Sequence, residues 1–163
     1  MGLIDCQGMR QLEEEAFRSG VCAEALMDKA GRRLGEAVDG LSSGPGRVVA
    51  YVGRGNNGGD ALVALQILRA AGWKIAARCP YAPLELGILP RRKLRELGEI
   101  ELQGAPFEPG DRDTPLLLID GLLGIGARGP LREPLVALAA EMNALRRSAG
   151  AQVVAVDIPS GLD

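Results

Sequence analysis

Apolar residues recur along the chain in two rhythms, one helical and one of short continuous runs. Met9, Leu12, Ala16 and Phe17 fall at helical spacing over residues 6–20, with Asp5 placed to cap the start and Gly20 to stop it. Leu26, Ala30, Leu34, Val38 and Leu41 repeat the pattern over 24–41. Ser42-Ser43-Gly44-Pro45-Gly46 then reads as a loop. Arg47–Val52 (RVVAYV) is rich in β-branched residues and predicts a buried strand. It runs into Gly53-Arg54-Gly55-Asn56-Asn57-Gly58-Gly59-Asp60, after which Leu62, Val63, Leu65, Ile67 and Leu68 predict a helix as far as Gly72. Trp73–Cys79 predicts the second strand. Residues 83–98 read as partly helical, with Pro90 at a break or a start, and 103–114 as polar and turn-rich. Leu116–Ile119 predicts a third strand ending at Asp120, followed by a loop over Gly121–Pro130. A helix is predicted from Leu131 to Ser148, with Pro130 near its first turn. Gln152–Val156 predicts a fourth strand, ending at Asp157.

Strands alternating with helices imply a parallel sheet covered on both faces. With right-handed crossovers the result is an α/β fold, a Rossmann-like three-layer α/β/α sandwich with a mainly parallel sheet. The two leading helices are extra to that minimal pattern. The length of 163 residues suits a single domain over 1–163.

Composition narrows the function. Hydrophobic residues at 47% and charged residues at 25% allow an ordinary core. A net charge of −2, with no basic block longer than Arg91-Arg92-Lys93, argues against nucleic acid as a partner. Phe17, Phe107, Tyr51, Tyr81 and Trp73 are too few for base-stacking platforms. Cys6, Cys22 and Cys79 form no CxxC and no readable disulfide framework, as expected in a reducing compartment. The chain has no histidine, which removes His-based triads and most zinc sites. Acid–base work falls to Asp, Glu, Lys, Tyr or Cys. Met1–Gly20 carries charges throughout and no apolar run approaches the roughly 20 residues of a membrane span. The expected location is cytoplasmic, with no membrane partner.

In such sheets ligands bind beyond the carboxyl ends of the strands, near the point where strand order reverses. Three strands end in informative residues at that edge. The first enters the glycine–asparagine loop, where Gly53, Gly55, Gly58 and Gly59 let a ligand approach the backbone. The following helix offers N–H groups to a phosphate, and Asn56 and Asn57 offer short donors and acceptors. Asp60, placed in the first helical turn, either complements the helix dipole or accepts hydrogen bonds from a ribose or amide. Gly53, Gly55 and Gly58 also match G-x-G-x-x-G, a weak signal alone. The ribose-binding acid expected near the end of strand two is replaced by Arg78-Cys79-Pro80, which disfavours an ordinary dehydrogenase, although Arg78 suits a 2′-phosphate. Asp120 and Asp157 are either loop-bonding carboxylates or site residues. The loop 121–130 (GLLGIGARGP) is either a plain connection or a second phosphate clamp with Arg128 as its charge. Ser160 suits a helix cap or a cation ligand. As a nucleophile it lacks a His or nearby Lys to activate it.

At these residues a resemblance emerges. GRGNNGGDALVALQIL, LLIDGLLGIGARGPLREPL and VVAVDIPSGLD, with LMDKAG at 26–31, resemble the YjeF amino-terminal domain family from about residue 9 to 163. The resemblance implies an NAD(P)H-hydrate epimerase, a metabolite-repair isomerase that interconverts the R and S forms of hydrated NADH or NADPH at C6 of the nicotinamide ring. It implies substrate binding by Asn56, Asn57, Gly58, Gly59 and Asp60, by Gly124, Ile125, Gly126, Ala127, Arg128, Gly129 and Pro130, and by Asp157. It implies one potassium ion (K+) held by Asn57, Asp120 and Ser160. The expected partners are the hydrated NADH or NADPH, an ADP- or ATP-dependent NAD(P)H-hydrate dehydratase that restores the S form, and further copies of the chain in a homo-oligomer. Family members continue several dozen residues past SGLD, so a domain cut short after its fourth strand is expected.

The residues fit that chemistry. A pyrophosphate suits the glycine loops. The C6 hydroxyl leaves with help from the ring nitrogen, giving a planar cation, and water returns to the other face. One carboxyl group can protonate the leaving hydroxyl and later deprotonate the water. Asp157 is the candidate for this catalytic role, which requires its pKa to rise from the usual value of about 3.9. Two alternatives remain: a non-catalytic scaffold of the same family, or a generic NAD(P)-binding Rossmann domain.

Overall fold

Arg47–Val52 (β1), Lys74–Arg78 (β2), Leu116–Gly121 (β3) and Gln152–Ala155 (β4) form one sheet in the order β2-β1-β3-β4. Every pairing is parallel, with Val48 beside Ile75 and Leu117, and Ile119 beside Val154. The computed structural model describes residues 8, 11, 15, 18, 20, 22–100, 102, 114–127 and 129–161. The helix expected over 6–20 lies outside the described residues except at five positions, and the turn-rich 103–113 lies outside them altogether.

The helices within residues 22–161, among the described residues, are Ala23–Asp39 (α1), Asn56–Ala70 (α2), Ile88–Leu97 (α3) and Leu135–Ser148 (α4), with a 3-10 turn at Pro83–Glu85. The pleat of β1 splits the core in two. Val48, Ala50 and Val52 face a cluster with Val38 of α1, Leu62, Leu65 and Leu68 of α2, and Leu97 of α3. Val49 and Tyr51 face the opposite cluster with Leu138, Met142 and Leu145 of α4. These are the three layers of the expected sandwich. α2 is apolar nearly all round because it lies between sheet, α1 and α3.

α1 crosses α2 at very close range. A Cβ on Gly31 would lie 2.6 Å from the Asp60 carbonyl oxygen and collide with Val63, and one on Gly35 would lie 2.8 Å from Ile67 Cβ. The α1–α3 seam is polar instead. Lys93, only 3% exposed, bonds Asp28 at 2.7 Å, Glu96 at 3.0 Å and Glu24 at 3.1 Å, and Arg92 also pairs with Glu24. Among the described residues no helix is long and apolar enough to cross a membrane.

Two helix starts differ from the sequence expectation. α4 begins at Leu135, not Leu131, because residues 133–134 form a turn, closed by the Leu135 N–H on the Arg132 carbonyl at 2.9 Å, and Pro134 is the N-cap. Pro130 therefore precedes the helix by several residues. α2 begins at Asn56, two residues before Gly58, so Asp60 falls in its second turn and no acid occupies the first.

Candidate functional site

The order β2-β1-β3-β4 reverses direction between β1 and β3, which opens a crevice beyond their carboxyl ends. The cavity there measures about 600 Å³. All four strand ends reach it: Tyr81 follows β2, Arg54–Asn57 follow β1, Leu122–Ala127 follow β3, and Val156 and Asp157 follow β4. Ala30 and Leu34 of α1 and Leu135 of α4 complete its walls.

The amino end of α2 opens into this crevice. Its N-cap is Gly55, which has no side chain to satisfy the first N–H groups. The N–H groups of Gly58 and Gly59 turn back to the Gly55 carbonyl at 3.1 and 3.4 Å. Those of Asn56 and Asn57 are left for an anionic ligand, at the positive end of the helix. Gly58 and Gly59 lie beneath the crevice and do not line it. A Cβ on Gly58 would strike the Gly53 carbonyl, and one on Gly59 would lie 2.5 Å from Met27 Sδ. These glycines let the loop and α1 close onto the helix.

A hydrogen-bonded chain joins the next group of residues. Asn57 Nδ2 donates to the Leu123 carbonyl at 3.0 Å. The Leu123 N–H donates to Ser160 Oγ at 3.1 Å. The Ser160 hydroxyl and N–H donate to Asp120 Oδ1 and Oδ2, both at 2.7 Å, and the Leu122 N–H donates to Oδ1 at 3.2 Å. Asp120 is 3% exposed and sits inside β3, since the strand continues one residue beyond it. Gly124 lies against this corner, where a Cβ would come within 2.6 Å of Asn57 Oδ1. Asn57, Asp120 and Ser160, widely separated in sequence, are thus joined in one corner whose acceptor atoms are oxygens. Such a donor set, with a single negative charge, suits a hard cation of low charge. Among the described residues no group of three His, Cys, Asp or Glu could hold a softer metal.

Asp157 is exposed at the rim, where its Oδ2 accepts the Ile125 N–H at 2.9 Å. This bond ties the loop after β3 to the end of β4. Gly124, Ile125, Gly126 and Ala127 line the crevice. Gly129 lines only a small neighbouring cavity of about 20 Å³ beside Ser160, and Pro130 reaches neither. Arg128 lies outside the described residues. Asp60 lines the crevice from the second turn of α2.

Arg78 is placed away from the site. It pairs in register with Tyr51, on the α4 face of the sheet. Its Nε and Nη2 fork onto Glu141 at 2.9 and 2.7 Å, and the Tyr51 hydroxyl donates to the same carboxylate at 2.8 Å. Burial, with the Glu141 charge adding to it, holds the Tyr51 phenol far above its usual pKa. A 2′-phosphate role for Arg78 is therefore excluded, because strand alternation turns it from the crevice. Sequence reasoning missed Arg54 as a site residue, and Tyr81 with it. The Arg54 guanidinium carbon lies 4.7 Å from the Tyr81 ring centroid, and both line the cavity. The available signal was position: Arg54 lies between two loop glycines, and Tyr81 lies just past the second strand.

The sequence profile described as YjeF-related protein N-terminus matches residues 23–163. A bifunctional NAD(P)H-hydrate repair enzyme Nnr of Gloeobacter violaceus is 39% identical, over 98% of this chain and 31% of its own. An NAD(P)H-hydrate epimerase of Bordetella pertussis is 37% identical, over 99% of this chain and 67% of its own. The chain thus spans about a third of the bifunctional relative and about two thirds of the epimerase. The crystal structure of yeast ynu0 superposes with a TM-score of 0.79 at 20% identity, covering 100% of this chain and 72% of that one, a likeness of fold.

Proposed function

Because the chain belongs to the family of YjeF-related proteins, whose amino-terminal profile spans its residues 23–163, we propose that it is an NAD(P)H-hydrate epimerase. The reaction interconverts the R and S forms of hydrated NADH or NADPH at C6 of the nicotinamide ring. One observation carries this reading: a crevice of about 600 Å³ places the uncapped amino end of α2 opposite a rim carboxylate, Asp157. A dinucleotide needs an anion site for its pyrophosphate and a proton donor at its ring, and the crevice offers both.

The pyrophosphate lies against the Asn56 and Asn57 N–H groups. The ring then reaches the side formed by β3 and β4. A proton relayed from water through Asp157 reaches the C6 hydroxyl as the C–O bond breaks, and the ring nitrogen lone pair fills the electron deficit. The planar cation is stabilised by the carboxylate that results. Rotation of the ring about its glycosidic bond turns its other face to Asp157, which takes a proton from the water that adds there, so the enzyme returns to its starting state. The Ile125 N–H on Oδ2 fixes the carboxyl group and leaves its other oxygen for this exchange.

Asn57, Asp120 and Ser160 would hold a potassium ion in the oxygen-lined corner. There it would supply positive charge beside the bound phosphates and brace the loop after β3. An ADP- or ATP-dependent dehydratase would consume the S form that leaves this site.

The test is kinetic. The R form of hydrated NADH, mixed with the protein, should give the S form at least about a hundredfold faster than it does spontaneously. A rate equal to the spontaneous one would contradict the proposal.

A further inference from the structure

Arg54 is the one cationic side chain among the described residues lining the crevice. It lies on the β2 side, away from Asp157. Its position is doubly held. Its carbonyl accepts the Gly87 N–H at 2.9 Å, and its guanidinium stacks over Tyr81. Tyr81 is itself anchored, its carbonyl accepting the Cys79 thiol at 3.4 Å, after the rigid Pro80. Among the described residues the guanidinium has no carboxylate partner, and it lines the crevice.

The geometry sets which half of a dinucleotide meets this pair. With the pyrophosphate at the amino end of α2 and the reacting ring beside Asp157, the nicotinamide half occupies the β3–β4 side. The adenosine half must then extend toward β2, where Arg54 and Tyr81 stand. In Rossmann-type sites an acid near the end of the second strand selects a free ribose 2′-hydroxyl, whereas an arginine accepts a 2′-phosphate. Among the described residues the crevice wall after β2 carries no acid, and the arginine enters from the β1 loop.

We propose that Arg54, positioned by its stack on Tyr81, binds the 2′-phosphate of the adenosine ribose and makes the site prefer the NADPH-derived substrate. This rests on the epimerase reading and adds its cofactor selectivity. A planar guanidinium is well suited to a phosphate, and stacking limits the freedom it would lose on binding. Tyr81 acts as a positioning residue.

Calorimetry with ADP-ribose and 2′-phospho-ADP-ribose tests it, the readout being the ratio of the two affinities. The wild-type protein should bind the 2′-phosphorylated compound at least about tenfold more tightly. In Arg54→Gln the ratio should fall to about one, while Arg54→Lys should keep part of it. Tyr81→Leu should lower the ratio, and Tyr81→Phe, which retains the ring, should preserve it. Arg54 and Tyr81 are not core residues, so each variant should fold, as circular dichroism would check. Equal wild-type affinities, or a ratio unchanged in Arg54→Gln, would overturn the selectivity and leave the epimerase reading standing. Failure of both compounds to bind the wild type would overturn both.

Discussion

Asp157 accepts the Ile125 N–H and also lines the crevice, so truncating it would remove two functions at once. Asn at this position keeps an acceptor for Ile125 but cannot exchange a proton near neutral pH. Asp157→Asn should therefore slow R-to-S conversion by about a hundredfold or more while ADP-ribose affinity stays within a few-fold. Conversion near the wild-type rate would remove Asp157 from the reaction and turn attention to Asp60, the other carboxylate lining the crevice. Gly58 shows the opposite situation. It belongs to the glycine loop by sequence, yet a side chain there meets the Gly53 carbonyl and no ligand space. Gly58→Val should thus destabilise the fold by about 1–3 kcal/mol, measured by denaturant unfolding, and lose binding only as a consequence. Unchanged stability with lost binding would contradict that assignment.

At the scale of elements, the α1–α2 crossing depends on Gly31 and Gly35. Gly31→Leu should push α1 off α2 and lower the unfolding midpoint by about 3 °C or more, a cost of about 1–3 kcal/mol. The α1–α3 seam predicts a pH dependence. Hydrogen bonding from Lys93 holds the Glu24 carboxyl below its usual value, outweighing burial, with Arg92 adding to the effect. Burial opposes the Lys93 charge, but bonds to Asp28, Glu96 and Glu24 outweigh it and raise its pKa. Glu24 thus adds stability above its ordinary value, and this is lost as pH falls through the lowered one. Lys93 adds stability below its ordinary value, lost only as pH rises through the raised one. Lys93→Met should be most destabilising between about pH 5 and 10, and its thermal penalty should shrink in acid. A pH-independent penalty would mean that packing alone is lost. The strands were legible within two residues at every end, because β-branched and leucine runs bounded by turn residues permit little else. The starts of α2 and α4 were not. Asn56 and Asn57 read as loop residues, yet they begin α2, because a glycine cap and buried glycines behind it set the boundary through packing.

For the whole molecule, the sequence indicated which edge of the sheet would carry the site, since three strands end in glycine or aspartate there. It also brought together Asn57, Asp120 and Ser160, through a resemblance whose motifs the fold joins by way of Leu123. It did not indicate the walls. Ala30 and Leu34 come from a helix that folds back over α2, and Tyr81 enters from beyond β2. These contacts are tertiary and leave no periodic mark on the chain. Arg78 was misplaced for a related reason: at the end of a strand a shift of one residue decides which face a side chain meets. The claim on which the rest depends is that a nucleotide occupies the crevice at the reversal of strand order. A crystal structure of the protein with ADP-ribose measures this directly. The account predicts the pyrophosphate within hydrogen-bond distance of the Asn56 and Asn57 N–H groups, with the terminal ribose directed toward Asp157. Density for the nucleotide at the opposite edge of the sheet, beyond the amino ends of the strands, would contradict it.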